Sequence, residues 1–311
     1  MRIAIFGVGG VGGYFGGRLA QAGEDVVFVA RGANLKALQT QGLRLDTLDG
    51  QSLVLPVKAE ADPAEVGLVD AVILGAKAWQ VTDAAQSIRP MIGPDTFVVP
   101  LQNGVDAPSD LAKVLGREHV FGGLCYLVTL KVGPGHIRHA GMEPRVIFGE
   151  LDNSVTERAN RLLTAFSKAG VKAEIPPDIR VAMWQKFLFI ATLSGVAAVT
   201  RAPAGIVRSV PEARQMLEGV ANEVAAVAKA LKVNLKPDSV ALTMDVIDRL
   251  PADGTASMQR DIMEERPSEL STQNGAVVRL GLECGVPTPL NSFIYSALLP
   301  LEMRARGEIE F

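Results

Sequence analysis

Two kinds of chemistry can be read from residue types and spacing in this chain. Near its start, Gly7, Gly9 and Gly12 fit G-x-G-x-x-G, with Gly10 and Val11 completing the stretch. Glycines so spaced suit a tight turn, a close backbone approach to a pyrophosphate and close helix–strand packing. A helix opening there offers free N–H groups and its positive dipole end to phosphates. Far downstream, Lys186 lies among Trp184, Phe187, Leu188, Phe189 and Ile190. An amine desolvated by such neighbours can protonate a developing alkoxide. The same pattern fits a lysine snorkelling from a helix edge. Glu269 follows Pro267-Ser268 at a helix start, where a carboxylate could orient a ligand or simply meet the helix dipole. Ser257 could donate to a substrate carboxylate from a helix N-terminus, or serve as a cap.

The glycines have the context that a dinucleotide site needs. Residues 2–6 are apolar and β-branched, as a buried parallel strand requires. After Gly12 the chain reads helical, with Phe15, Leu19 and Ala22 in phase and Gly23 as a stop. A second strand spans 25–30 and runs into Arg31, with no acid following until Asp46. A carboxylate there would suit the ribose of NAD, whereas a guanidinium suits the 2′-phosphate of NADP. Further strands are expected over 43–48 and 53–57, around a turn at Asp49-Gly50, and over 69–74 and 96–99. Helices alternate with the main strands, which implies a doubly wound parallel sheet. Ligands bind such sheets at the carboxyl ends of the strands. Lys77 and Asn103 fall at two of those ends, although Asn103 would also serve as turn chemistry before Gly104.

Strands at 120–129, 146–149 and 171–175 and a helix at 155–169 complete this half, and Pro176-Pro177 breaks the pattern. The expected domains are therefore 1–176 and 177–311. The second half reads all-α. A long helix spans 178–199, and Ser209 is expected to cap the next, with Pro211 in its first turn. Helices follow at 239–250 and 257–265. Ser268 is expected to cap a helix running to Cys284, and a last helix spans 291–304. The cleft between two such domains is the expected substrate site.

Composition narrows the classes. The chain has 311 residues, 48% of them hydrophobic, and a formal charge of −3, which gives no electrostatic case for nucleic acid or an anionic membrane. Two distant cysteines make no metal or redox motif and suit a reducing cytoplasm. The three histidines lie at 119, 136 and 139 without further ligands at metal spacing, so no metal is expected. The N-terminus resembles a signal peptide, but glycines and Arg18 interrupt its apolar run, and the dinucleotide fingerprint explains it better. The apolar stretch 187–200 is too short to span a bilayer and reads as a core helix.

Taken together, the motifs resemble those of the ketopantoate reductase family. The likeness rests on residues 7–12, Arg31, Lys77-Ala78-Trp79-Gln80, Gln102-Asn103-Gly104, Gly133-Pro134-Gly135 and Trp184-Gln185-Lys186-Phe187. It continues through Ser257-Met258, Asp261, Arg266, Glu269, Gly275 and Gly285-Val286-Pro287. The resemblance implies an α/β fold, a Rossmann-type doubly wound sheet followed by an all-α C-terminal domain. It further implies NADP(H) as cofactor and reduction of a 2-oxo acid, with ketopantoate to pantoate, a step of pantothenate and coenzyme A synthesis, as the first choice. By this likeness Lys186 is the general acid and Glu269 orients the substrate. Ser257 holds the substrate carboxylate, Asn103 lies between cofactor and substrate, and Lys77 faces the cofactor. The family carries asparagines one and two turns after the lysine, where this chain has Ile190 and Ser194. Ser194 is retained as a substrate-binding residue. Ile190 makes the wall more apolar and weakens discrimination there, so a less polar 2-oxo acid is the alternative substrate. A non-catalytic NADP-binding sensor is the rival from another class, but it gives Lys186 and Glu269 no role. The expected partners are a small 2-oxo acid and, as an allowed homodimer, a second copy of the chain.

Overall fold

A computed structural model describes all residues from Met1 to Phe311. The chain forms two compact units: Met1–Gln102 with Ala107–Ile179, and Asn103–Asp106 with Arg180–Phe311.

The first unit is mixed α/β. It begins β1 (Arg2–Phe6), α1 (Gly10–Gln21), β2 (Asp25–Val29), α2 (Gly32–Gln41), β3 (Leu43–Asp46), β4 (Ser52–Leu55), β5 (Lys58–Glu60) and α3 (Pro63–Val66). It continues β6 (Ala71–Leu74), α4 (Val81–Ile88), β7 (Phe97–Pro100), α5 (Ala107–Leu115), β8 (Phe121–Tyr126) and β9 (Thr129–Gly133). β10 (His136–His139), β11 (Arg145–Glu150), α6 (Glu157–Lys168) and β12 (Lys172–Glu174) complete it.

Five parallel strands form the central sheet in the order β5-β2-β1-β6-β7. The chain winds outward from β1 to β5, then returns to the other side of β1 for β6 and β7. The direction reverses between β1 and β6, which makes the carboxyl ends of these two strands the natural binding edge. Alternation along the strands sends Ile3, Ile5, Phe28, Ile73 and Phe97 into one core with Phe15 of α1 and Phe166 of α6. Ala4, Val27, Val72 and Val98 enter the opposite core with Ile88 of α4 and Leu111 of α5. Burial on both faces explains why these strands are apolar throughout.

Two smaller sheets flank this one, β4-β3-β10-β9 and β12-β11-β8. The expected hairpin around Asp49-Gly50 is present, and its β3 pairs with β10. β5 escaped the sequence reading because Lys58-Ala59-Glu60 contains a single apolar residue.

α1 begins at Gly10, two residues before the last glycine of the fingerprint. Three glycines allow this. Gly7 has φ +91°, and a Cβ there would overlap the Ala76 backbone. A Cβ on Gly12 would overlap Gly7 O, and one on Gly75 would come within 2.8 Å of Gly12 Cα. The first turn of α1 therefore lies directly against the ends of β1 and β6.

The second unit is built from α7 (Ile179–Thr200), α8 (Ala204–Ser209), α9 (Pro211–Ala230), α10 (Ser239–Asp248), α11 (Ser257–Met263), α12 (Asn274–Cys284) and α13 (Pro289–Ala305). α7 is longer than the apolar stretch judged too short to span a bilayer, and by length and composition it could cross one. Instead, 78% of its most apolar window is buried inside the protein, so it is apolar all round because it is a core helix. Two capping expectations fail. Ser209 ends α8, its hydroxyl donating to Ile206 O, and Pro211 opens α9 after Val210. Ser268 does not start α12, which begins six residues later, because long-range bonds to α13 hold Ser268 in the loop before it.

Gly12→Ala is expected to destabilise the protein by about 1–3 kcal/mol, because its methyl would overlap the rigid Gly7 carbonyl and crowd Ile5. Gly9→Ala, whose methyl would meet nothing nearer than Gly75 O at 4.0 Å, should cost less than about 1 kcal/mol, the N-cap preference for glycine over alanine. Thermal melts of both variants check the contrast.

Candidate active site

In the α/β unit, the turn between β1 and α1 is an anion cradle. Gly9 is the N-cap of α1 and has no side chain to bond the first N–H groups, and no acidic residue occupies the first turn. Gly13 N, bonding Gly9 O at 2.8 Å, is the first donor satisfied within the helix. The N–H groups of Gly10, Val11 and Gly12 precede it, at the positive end of the helix dipole. The space that a Cβ of Gly9 would enter is open, whereas a Cβ on Gly10 would overlap the Thr129 hydroxyl. The cradle thus admits a ligand at Gly9 and is walled at Gly10.

Its loop is braced by a residue that the sequence did not single out. Asn34 on α2 donates to Val8 O at 3.0 Å, and its Oδ1 accepts from Gly135 N at 2.8 Å. Through Asn34, the turn at Gly133-Pro134-Gly135 supports the fingerprint loop.

Arg31 follows β2 after Ala30, at the N-cap of α2, with its side chain exposed and unpaired. β5 places Glu60 opposite Val29 at the same edge of the sheet, an acid that a scan along the chain after β2 does not find. Lys77 lies in the exposed turn after β6, with its N–H bonded to Gln80 Oε1 at 3.2 Å and its ammonium 5.5 Å from the centre of the Trp79 ring. Gln102 stitches the strand ends together, donating to Leu74 O and Ala76 O, each at 2.9 Å. These residues share the carboxyl edge of the parallel sheet. Their donors fit a dinucleotide with its pyrophosphate at the N-terminus of α1.

In the helical unit, Lys186 is 8% exposed on α7, beside Trp184 and Phe187, whose rings meet edge to face at 5.4 Å. Ile190 and Ser194 follow at one-turn intervals, the first half-buried and the second buried. Glu269 is equally enclosed, also 8% exposed. Its Oε2 accepts from Asn103 Nδ2 at 3.0 Å and from Gln273 Nε2 at 3.3 Å. Both protein donors meet the same oxygen, so Oε1 is left as an acceptor.

The backbone before Glu269 is clamped. Ser268 N donates to both carboxylate oxygens of buried Glu302, at 3.1 and 3.0 Å, and its hydroxyl donates to Glu302 as well. Arg306 pairs with Glu302 at 2.6 Å and donates to Ser268 O at 3.2 Å. Asn274 ties the start of α12 to α7 by donating to Ala191 O at 3.2 Å.

The helical unit therefore joins Asn103 to Glu269 by a hydrogen bond and carries Lys186 and Ser194 on one helix. No hydrogen bond links Ser257 to them. Ser257 is the first residue of α11, not its cap, and its hydroxyl is exposed and bonded to no protein group. The histidines hold structural bonds: His119 Nδ1 to Thr96 O, His136 Nε2 to Asp46 and His139 Nε2 to Met142 O. Gln273 and the Ser268–Glu302–Arg306 clamp went unread in the sequence. The four-residue spacing of Glu269 and Gln273 was the only local sign of the first.

A family model described as "Ketopantoate reductase PanE/ApbA" matches residues 3–153, and one described as "Ketopantoate reductase PanE/ApbA C terminal" matches residues 178–302. A 2-dehydropantoate 2-reductase of Mesorhizobium japonicum is 31% identical over 315 residues, covering 93% of this chain and 94% of that relative. A PanE/ApbA family ketopantoate reductase from Ralstonia eutropha superposes with a TM-score of 0.90 at 30% identity, covering 98% of this chain and 100% of that one. A D-mandelate dehydrogenase solved with NADH and anilino(oxo)acetate has the same TM-score at 26% identity, again covering 98% and 100%.

Proposed function

The chain belongs to the ketopantoate reductase family, and from that premise we propose that it reduces a 2-oxo acid to a 2-hydroxy acid with NADPH. The first substrate to test is 2-dehydropantoate, in the synthesis of pantothenate and coenzyme A. The chain is an oxidoreductase acting on CH–OH groups, as members of its family are. The observation that carries the substrate class is the Glu269 carboxylate. Two amides hold one of its oxygens and leave the other to accept from a ligand, in the same helical unit as buried Lys186.

When bound, the nicotinamide supplies a hydride to the carbonyl carbon. Lys186 donates a hydrogen bond to the carbonyl oxygen and protonates it as the alkoxide develops. Burial strengthens that interaction by excluding water. Glu269 Oε1 accepts from a hydroxyl of the substrate, and the free hydroxyl of Ser257 holds the substrate carboxylate. Asn103 fixes Glu269 beside the substrate. The cradle at Gly7, Gly9, Gly10, Val11 and Gly12 takes the pyrophosphate. Arg31 takes the 2′-phosphate, and Lys77 adds positive charge at the same edge. The unpaired guanidinium of Arg31 supports NADPH over NADH. The setting is cytoplasmic, in keeping with Cys125 and Cys284, which form no disulfide.

Ile190 favours a second substrate reading. It is a half-buried apolar residue one turn from Lys186, where the family pattern has an amide, and it would suit a less polar or aromatic 2-oxo acid. Turnover of 2-dehydropantoate against branched and aromatic 2-oxo acids, followed by NADPH absorbance, decides between them. Silence on the whole set with NADPH still bound would leave only a sensor role.

Lys186→Ala is expected to lower kcat by about 10²–10⁴-fold while NADPH affinity stays within about twofold, because a lost proton donor does not loosen the phosphate cradle. Turnover equal to wild type would remove Lys186 from the mechanism. Arg31→Ala should weaken NADPH by about tenfold or more, the loss of a charge-assisted bond, and leave NADH unaffected. Fluorescence titration with both cofactors measures this, and equal losses for the two would refute the 2′-phosphate role.

A further inference from the structure

We propose that Gln273 is a positioning residue that sets the substrate preference of the Glu269 site, an inference that rests on the function proposed above. Gln273 lies in the turn before α12 and is 0% exposed. Its Nε2 donates to Glu269 Oε2 at 3.3 Å. Its own Oε1 is buried and has no partner. The amide cannot be reversed to relieve this, because Oε1 would then face a carboxylate oxygen, acceptor against acceptor. A buried amide oxygen without a donor is a net loss to folding. Methionine would fill nearly the same volume without that loss. The group that glutamine supplies and methionine cannot is the N–H aimed at Glu269, a second donor to a buried carboxylate.

That N–H fixes a torsion. The terminal rotation of a glutamate carboxylate is broad and weakly held. One donor, from Asn103, would leave the group free to swing. A second donor on the same oxygen sets the carboxylate plane, and the Ser268–Glu302–Arg306 clamp holds the backbone from which it projects. Oε1 then points in one direction and rewards a substrate that presents a hydroxyl there. A fixed polar group discriminates strongly against an analogue lacking its partner; a swinging one does not.

The test compares wild type and Gln273→Met, both saturated with NADPH, on 2-dehydropantoate and on 3,3-dimethyl-2-oxobutanoate, the same 2-oxo acid without the hydroxyl. Loss of the second donor should lower kcat/KM for 2-dehydropantoate by about tenfold and change that for the dimethyl acid by less than about twofold. The melting temperature should change by no more than about 4 °C, because removal of the unpaired amide oxygen offsets the lost donor. In the Glu269→Ala background, Gln273→Met should cause no further loss on 2-dehydropantoate. A larger fall in melting temperature with equal losses on both substrates would mean that Gln273 is structural and would overturn the inference. So would a variant that separates the two acids as well as wild type does. A wild type silent on every 2-oxo acid would overturn the proposed function, and this inference with it.

Discussion

The α/β unit depends on a close approach that only absent side chains permit. Gly7, Gly12 and Gly75 leave no room for a Cβ, so the first turn of α1 touches the ends of β1 and β6 directly. Everything useful at this edge follows from that contact. The free N–H groups of α1 stand at the topological switch point of the sheet, where the strand ends open outward. Arg31 and Lys77 reach the same edge because they terminate the turns after β2 and β6. Gln102 and Asn34 add no chemistry of their own; they tie carbonyls of the neighbouring loops so that the cradle keeps its shape.

The helical unit solves a different problem, that of keeping ionisable groups in an apolar core. Burying a charge is expensive unless partners replace its water. Glu302 is the clearest case, with Ser268 and Arg306 meeting its two oxygens. Glu269 is met on one oxygen and left with capacity on the other, and Gln273 carries an amide oxygen with no donor at all. Incomplete satisfaction in an otherwise well-bonded core is where strain and function tend to coincide. Glu269 is thus held by fixed donors rather than left as a mobile charge.

Local signals in the sequence carried far for the parts that local physics decides. The β1–α1 turn, the doubly wound pattern and the apolar α7 follow from alternation, glycine spacing and hydrophobic runs. The roles expected of Lys186, Glu269 and Ser257 rest on family resemblance, since each residue taken alone also has an ordinary structural explanation. What escaped was set by distant partners. Ser268 reads as a helix cap, but Glu302, 34 residues later, captures it and delays α12. β5 has too few apolar residues to announce itself and exists because β2 offers it an edge. Asn103 follows a strand of the α/β sheet, yet residues 103–106 pack with the helices and bring its amide to Glu269. Nothing local marks Gln273, because its contact with Glu269, which Asn103 also bonds, exists only in the folded chain.

The most direct test follows the hydride itself. The protein would be given NADPH carrying deuterium at the transferable C4 position together with 2-dehydropantoate, and the product examined by NMR. The account predicts a 2-hydroxy acid with a single deuterium on C2 and a hydroxyl proton drawn from solvent. Product lacking deuterium at C2, or no product from any 2-oxo acid while NADPH remains bound, would contradict it.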